Sequence, residues 1–492
     1  MRHLPVLIVL LPLMAAQLCL LISKIHYKAG RYTVLAAVTG SLVMSVMLLR
    51  QVIAEGPVHY YFGNYKVPIG IEFYVDTVNA LILVLICLIG ALTFMYTTPF
   101  ARTTDKTLVG AANTMISLLI TGMLGMTATG DVFNLYVFLE ITSLSAYCLI
   151  SLGGSRGIVA AFRYLLVGTV AATLYLIGVG ILYGITGTLN MSDMAAILSK
   201  GGNEGAMLIA MCFLIAAFGT KMALFPFHGW QPSAYTHAEA GSRPLISGVM
   251  GKIPAYGLFR YMYCIYGTDY KYFRVFLIVL GILSVCSMLY GSIRAMAQTD
   301  LRKMLAYSSV AQMGYIILGF AIGTPLALCG AFLHMFGHAF MKGGLFFATG
   351  AIRHKFGTTK LEDFGRIYKA MPFTCGLLVV ASLSMIGIPP TVGFFSKWYL
   401  AVGAAGTGEF IYIAVLVLSS LLNAIYFFKL IEKVFIQQKS AKTEALPAAE
   451  GPEVPLDMMI PIVVCFLAIL LLGIFNAKIV DILMLAIKGV AL

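Results

Sequence analysis

Runs of apolar residues recur along the whole chain, separated by short polar turns. A run of about twenty residues crosses the roughly 30 Å of hydrocarbon as a helix, which also satisfies its own backbone groups. The pattern predicts an all-α integral membrane protein with fourteen transmembrane helices. The predicted spans are 4–22, 31–52, 72–98, 108–129, 132–153, 160–186, 206–227, 245–266, 272–292, 303–323, 325–351, 371–400, 409–435 and 457–476.

Two of these spans contain prolines that interrupt a helix. In the seventh span Pro226 and Pro232 follow Lys221, and in the twelfth the proline pair 389–390 precedes Lys397. Proline frees backbone groups, which a membrane tolerates only inside protein or beside a water-filled cavity. Matching breaks in two halves of a chain are typical of transporters that are built from repeats. We therefore predict discontinuous helices 7 and 12 in two five-helix repeats.

The chain is predicted to form a single transmembrane domain, residues 1–492. The first repeat is assigned to about 108–266 and the second to about 272–435. A segment at about 437–457 is rich in Ala, Pro and Glu, so a flexible loop is expected there. Lys and Arg residues of the predicted loops concentrate on the side of this loop. The positive-inside rule therefore puts that side in the cytoplasm and both termini on the other side.

Composition excludes several other classes of protein. The chain is 60% hydrophobic and 11% charged, whereas soluble domains are about 45–50% apolar and about 25% charged. The nine cysteines are scattered singly and form no C-x-x-C pair, so no disulfide framework, metal site or iron–sulfur site is expected. The net charge of +13 comes without a basic, aromatic-rich run, so nucleic-acid binding is not expected. We expect no cofactor, and no redox or hydrolytic chemistry within this chain.

Charged residues inside the spans are the candidate functional residues. A charged side chain at a helix centre costs about 2.5–3.5 kcal/mol on insertion scales, so it needs a partner, a cavity or a function. Burial also disfavours the charged form of a lysine, which can then exchange protons near neutral pH. Glu140 is the only acid well inside a span. The basic residues inside spans are Lys221, Lys252, Arg260, Lys342 and Lys397.

Glu140 and Lys221 can form a gate whose strength changes as the lysine gains or loses a proton. The alternative is a static ion pair that holds two helices together. Lys252 is a candidate proton carrier, unless its ammonium group snorkels to the headgroups. Arg260 lies near the end of its span, where snorkelling or a structural pair is favoured.

Two histidines and a lysine follow one another in the segment HMFGHAFMKGGLFF. His334, His338 and Lys342 are spaced i, i+4, i+8, so they lie along one face of a helix. Histidine gains and loses a proton near neutral pH, and such a stripe can conduct protons. The alternative is two hydrogen-bonded core histidines with a structural lysine. A metal site is disfavoured, because no third ligand lies nearby in the sequence.

Lys397 has no nearby acid in the sequence. No Asp or Glu occurs between Asp363 and Glu409, so the second half lacks a buried acid matching Glu140. We therefore expect the counter-charge of Lys397 to come from another subunit, with Lys397 facing that interface rather than lipid.

Several segments resemble the antiporter-like subunits shared by Mrp-type sodium/proton antiporters, respiratory complex I and membrane-bound hydrogenases. The resemblance covers roughly residues 70–435. Its most specific segments are GDVFNLYVFLEI, GTKMALFPFHGWQPSAYTHA, GKIPAYGLFR, TDLRKMLAYSSVAQMGY, HMFGHAFMKGGLFF and GIPPTVGFFSKW. It implies fourteen helices, two inverted five-helix repeats and a central hydrophilic axis. On that axis it implies a glutamate–lysine pair (Glu140, Lys221), a connecting lysine (Lys252), bridging histidines (His334, His338) and a terminal lysine (Lys397) that receives a neighbouring subunit's glutamate.

A lysine at 397 resembles the D-type subunit of Mrp, whereas Ser233 and Glu239 stand where the family would have Asp and Pro. The expected function is proton translocation along the Glu/Lys/His axis of a Mrp-type sodium/proton antiporter. The expected location is a prokaryotic inner membrane, with homologous membrane subunits as partners and sodium as the exchanged ion. One alternative is a proton- or sodium-pumping subunit of a redox-driven complex. Another is a scaffold with inert charges. The driving reaction, coupling ion and direction are not encoded in the chain.

Overall fold

The structure is a computed structural model that describes residues 3–103, 106–365, 367–436 and 453–489. The first half contains α1 Leu4–Ile25, α2 Tyr27–Glu55, α3 Thr77–Tyr96, α4 Thr98–Thr103, α5 Lys106–Ala128, α6 Val132–Ser151, α7 Ser155–Thr186, α8 Met191–Leu198, α9 Glu204–Lys221, α10 Gln231–His237, α11 Arg243–Leu245 and α12 Lys252–Phe259. The second half contains α13 Phe273–Met296, α14 Leu301–Ile322, α15 Pro325–Phe356, α16 Pro372–Ile386, α17 Val392–Gly406, α18 Phe410–Phe435, α19 Leu456–Ile474 and α20 Asn476–Gly489.

The all-α membrane architecture predicted from the apolar runs is confirmed. Within the described residues, eleven helices are long and apolar enough to cross a membrane. The count of fourteen helices, the two inverted repeats and the domain limits stay predictions. Most of the segment expected to form a flexible loop, residues 437–452, lies outside the described residues.

The predicted span 72–98 is wrong at its first residues. Glu72–Val75 forms a strand, β2, which pairs antiparallel with β1, Val58–Tyr61. The helix begins only at Thr77, because the side chain of Asp76 caps it by accepting a hydrogen bond of 2.9 Å from the backbone N–H of Asn79. The apolar residues of β2 concealed this boundary, since they continue the apolar run of the following helix.

Both predicted helix breaks are present. Helix α9 ends at Lys221, and α10 begins at Gln231 after a 3-10 turn over Phe227–Trp230. The carbonyl of Thr220, exposed by the first break, accepts a hydrogen bond of 2.8 Å from the indole N–H of Trp230.

In the second half, α16 ends at Ile386 and α17 begins at Val392. Gly387 ends α16 with a φ of 97°, a left-handed conformation that glycine adopts without steric cost. Each break therefore leaves carbonyl groups that a side chain can reach.

Helix α15 is the central element of the second half. It is buried on all sides from Ala327 to Ile352, and it packs against α14, α16, α17, α19 and α20. Its partner on the side of the first half is the segment 243–266, where π-helical turns flank α12 on both sides. π-helical turns are frequent at functional sites. The fold thus brings α12, α14, α15 and α17 together around buried polar side chains.

Candidate proton-transfer row

Glu140 and Lys221 meet between α6 and the end of α9. The lysine is buried, and its Nζ lies 3.6 Å from Oε1 of Glu140. The same nitrogen donates a hydrogen bond of 2.7 Å to Oγ of Ser143. The Glu140 oxygen has no hydrogen-bond partner among the described residues, and its side chain is 27% exposed. The carboxylate and the ammonium group are therefore in contact, but the short hydrogen bond of Lys221 goes to Ser143 and not to Glu140.

Lys252 lies fully buried at the start of α12, so the snorkelling alternative is excluded. Its Nζ donates one long hydrogen bond, 3.4 Å, to the carbonyl of Ser247. The start of α12 packs against the helix break that follows α9, since a Cβ on Gly251 would stand 3.9 Å from the carbonyl oxygen of Met222. Lys252 is the least well-satisfied ammonium group of the row.

Lys342 on α15 is also fully buried, and it is anchored on α14. Its Nζ donates a hydrogen bond of 2.7 Å to the carbonyl of Leu305 and a second, shorter one to Oγ of Ser308. Lys252 lies close enough to interact electrostatically with three groups on α15, which are Lys342, His334 and His338. Like charges at this range oppose one another, so a proton on one lysine disfavours a proton on the next.

The two histidines of α15 differ in their surroundings. The rings of His334 and His338 stack with centroids 5.9 Å apart and an angle of 15° between planes. His334 is hydrogen-bonded at both ring nitrogens, to Oγ of Ser396 and to the side-chain amide of Gln312, each at 2.9 Å. His338 is buried, and neither of its nitrogens has a partner among the described residues. The alternative of two hydrogen-bonded core histidines therefore fits His334 alone.

Lys397 lies in the break of the twelfth predicted span. Its Nζ donates hydrogen bonds of 2.9 Å to the carbonyls of Met385 and Ile386 at the end of α16, and one of 3.1 Å to Oγ of Ser420. It also lies 4.6 Å above the ring of Tyr315. The side chain is 8% exposed, so it does not face lipid. A counter-charge from a neighbouring subunit stays a prediction. Within this chain, the carbonyls at the end of α16 already offer partial negative charge to the ammonium group.

The seven predicted residues lie on elements that pack against one another, with α12 on α9 between Lys252 and Lys221. Glu140 and Lys221 lie at one end of this row, Lys252 links α12 to the Lys342 and histidine stripe on α15, and His334 lies within electrostatic range of Lys397 at the other end. Arg260 does not belong to it, since Nη1 donates to the carbonyl of Thr129 and the side chain is buried at the far end of the same helical segment.

The sequence did not predict the polar side chains that hold the row together. These are Ser143, Ser308, Gln312, Tyr315, Ser396 and Ser420. Position gave some signal, because Ser143 follows Glu140 by three residues and Ser396 directly precedes Lys397. The buried acid Glu72 was also missed. It pairs with His59 and accepts a hydrogen bond of 2.8 Å from the side chain of Asn190, away from the row.

Comparison with known proteins agrees with this geometry. The transmembrane family described as NADH:quinone oxidoreductase/Mrp antiporter matches residues 129–423, which include all seven predicted residues. The chain belongs to this family. It is an antiporter-like membrane subunit of the kind found in Mrp, complex I and related multi-subunit complexes.

Two curated relatives span nearly the whole chain. The N subunit of the NADH-quinone oxidoreductase of Desulforudis audaxviator is 44% identical over 97% of this chain and 97% of its own length. The D subunit of the Na(+)/H(+) antiporter of Alkalihalophilus pseudofirmus is 29% identical over 90% of both chains. The similarity therefore does not single out the D-type subunit of Mrp that Lys397 suggested.

Among solved structures, a chain of the membrane-bound sulfane sulfur reductase, an archaeal respiratory membrane complex, superimposes with a TM-score of 0.91. Its sequence is 27% identical, and the match covers 99% of this chain and 98% of that one. The antiporter-like subunit thus shares its fold with a subunit of a respiratory complex. Other membrane subunits are its partners in such assemblies.

Proposed function

We propose that this chain is a proton-translocating subunit that moves protons along the row from Glu140 to Lys397. The observation that carries the proposal is the burial of four lysines and two histidines along one path, with one carboxylate on it. Burying an unpaired ammonium group is costly, so proteins retain such groups where they act. A structural role would be served better by apolar residues of the same size.

The Glu140–Lys221 pair is the proposed input of the row. A protonated Lys221 is attracted to the carboxylate 3.6 Å away, whereas a neutral Lys221 keeps only its bond to Ser143. Movement of a positive charge toward or away from this pair therefore changes how firmly Lys221 holds its proton. A proton released by Lys221 passes to the neutral amine of Lys252, whose nitrogen makes a single long hydrogen bond.

The remaining groups pass the charge on by repulsion and by exchange. A proton on Lys252 disfavours a proton on Lys342 and on the histidines, so a proton arriving on one group favours release from the next. His338 is free to accept at one ring nitrogen and release at the other, since neither is hydrogen-bonded to a described residue. Lys397 receives the proton at the far end.

Partner subunits supply the driving force in this proposal. The relative at 44% identity belongs to an NADH-quinone oxidoreductase, which supports a redox-driven complex. The lysine at 397, in contrast, supports exchange of protons for sodium in a Mrp-type antiporter. We place the chain in the inner membrane of a prokaryote, with both termini on the non-cytoplasmic side.

Homologous membrane subunits are the proposed neighbours at both ends of the row. Exposed apolar side chains of Phe133, Val137 and Leu144 surround the partly exposed Glu140 on α6. At the other end, Trp398 on α17 and the outer face of α18 are exposed and apolar. A neighbour that covers either face would extend the row beyond this chain.

The native complex tests this proposal when it is purified through a tag on this chain, its subunits are identified by mass spectrometry, and it is reconstituted in vesicles. We expect proton movement when the right energy source is applied, either a sodium gradient or an electron donor with a quinone. Iron–sulfur subunits and donor-driven pumping identify the redox-driven complex, whereas sodium-driven pumping without them identifies the antiporter. An intact complex that moves protons under neither condition contradicts the proposal.

A further inference from the structure

Tyr147 on α6 carries a hydroxyl group that the row leaves unexplained. Its side chain is 8% exposed, and the buried hydroxyl makes no well-formed hydrogen bond among the described residues, although it interacts with the hydroxyl of Ser143 one turn earlier. Most buried polar groups in proteins have a hydrogen-bond partner. Tyr147 follows Glu140 by seven residues and Ser143 by four, so all three lie on the same face of the helix. The hydroxyl thus belongs to the face that contacts Lys221.

Gly168 on α7 brings this hydroxyl close to the lysine. A Cβ on Gly168 would stand 2.0 Å from the tyrosine oxygen and 3.6 Å from Nζ of Lys221. The tyrosine oxygen and Nζ of Lys221 therefore lie on either side of the same point. A small rotation of the lysine side chain or one bridging water would connect them by hydrogen bonds. Because any side chain at position 168 would fill this space, the glycine is required for the hydroxyl and the lysine to approach each other.

Beyond Tyr147, the end of α6 leads to a cavity of about 410 Å³. Leu152 and Gly153 line it, and so do Glu239 and Arg353. Leu152 follows Tyr147 by five residues, which is roughly 8 Å along the helix axis. The loop of Glu239 packs on the same end, since its backbone N–H donates a hydrogen bond of 3.5 Å to the carbonyl of Leu149. This is the side that the basic loops predict to face the cytoplasm.

We propose that Tyr147 is a further proton-transfer residue, which connects Lys221 to this cavity; the inference rests on the proposed function. The hydroxyl donates its proton to the neutral amine of Lys221, and its oxygen accepts a proton from a hydronium ion on the cavity side, which is left as water. One O–H bond breaks and one forms, so the tyrosine ends neutral as it began. A hydroxyl group can do this because it is both a donor and an acceptor.

The test is proton transport by the assembled complex carrying Tyr147→Phe. We expect transport to fall by about a hundredfold or more, the low end of the effects of losing a proton-transfer group. Thermal stability should change little, because the ring keeps its edge-to-face contact with Tyr164 at 4.7 Å and only a weak interaction with Ser143 is lost. Tyr266→Phe is the matched control. Its hydroxyl donates to the carbonyl of Met207, away from the row, so transport should be retained.

Gly168→Ala separates proton transfer from packing. Alone, it should lower both stability and transport, because its Cβ would meet the tyrosine hydroxyl at 2.0 Å. Combined with Tyr147→Phe, the nearest ring atom is 3.1 Å away, so stability should recover while transport stays low. Recovery of transport together with stability would show that Tyr147 only packs, and would overturn the inference.

Lys221→Ala distinguishes this inference from the proposed function. If Tyr147→Phe transports at the native rate while Lys221→Ala does not, Tyr147 is no relay and the row stands. If both variants transport at the native rate in assembled complexes, the proposed function fails as well.

Discussion

The ammonium group of Lys397 donates a hydrogen bond of 2.9 Å to the carbonyl of Met385, across the break between α17 and α16. Met385 lies in the last turn of α16, where carbonyl groups have no partner within the helix. The broken helix therefore stabilises the buried charge with its own negative end. This arrangement explains how Lys397 is accommodated inside the membrane although it forms no ion pair with an acid of the described residues.

Lys397→Met should abolish this charge while keeping the length of the side chain. We expect proton transport by the assembled complex to fall by about a hundredfold or more, because the last group of the row can no longer hold a proton. Lys369→Met, at an exposed position, is the control and should transport normally. Native transport by Lys397→Met would remove this residue from the row.

Gly393 on α17 packs directly against the end of α16. A Cβ on Gly393 would stand 1.8 Å from the carbonyl oxygen of Ser384, so Gly393→Ala must displace one helix from the other. We expect the purified complex to lose about 1–3 kcal/mol of stability, the usual cost of overpacking, measured as a lower melting temperature. Gly376→Ala on α16 is the matched control, since its Cβ meets nothing within 4 Å. Equal melting temperatures for the two variants would contradict the close packing at the break.

Lys252 and Lys342 should respond differently to replacement by Met. Lys252→Met removes a buried charge with one long hydrogen bond, so the complex should become more stable by about 1 kcal/mol or more while transport falls. Lys342→Met loses two hydrogen bonds of a charged donor, to the carbonyl of Leu305 and to the hydroxyl of Ser308, at a cost of about 1–3 kcal/mol. Melting temperatures that shift in the same direction would show that the two ammonium groups are equally well satisfied.

The two histidines offer a second contrast. His338→Gln should reduce transport without loss of stability, because an amide cannot pass a proton and no hydrogen bond of the native ring is lost. His334→Gln should reduce both, since the native ring is hydrogen-bonded to Ser396 and Gln312. Transport and melting temperature of each assembled complex check this. A His338 variant that is destabilised as strongly as the His334 variant would contradict a free ring at 338.

The breaks and the charged residues could be predicted from the sequence for a physical reason. Prolines and ionisable groups are costly inside a membrane, so Pro226 and Lys221 stand out against an apolar background. The strand β2 could not be predicted, because Phe73, Tyr74 and Val75 run on into the apolar helix that follows Asp76.

The partners of the buried charges were harder to predict. Serine is common in membrane helices, so Ser143 and Ser420 carry little signal until the fold places them beside a lysine. Backbone carbonyls have no sequence signature at all, and for this reason a neighbouring subunit was the only counter-charge that the sequence could suggest for Lys397. Burial of Lys252 likewise became evident only from the packing of α12 against α9, α5 and α14.

Lys221→Ala in the assembled complex tests the proton row most directly. The measurement is proton movement into vesicles, with Lys200→Ala as the control at an exposed position. We predict that Lys221→Ala assembles with its partner subunits but loses transport by about a hundredfold or more, while Lys200→Ala transports normally. Native transport by an assembled Lys221→Ala complex would contradict the account and favour a scaffold with inert buried charges.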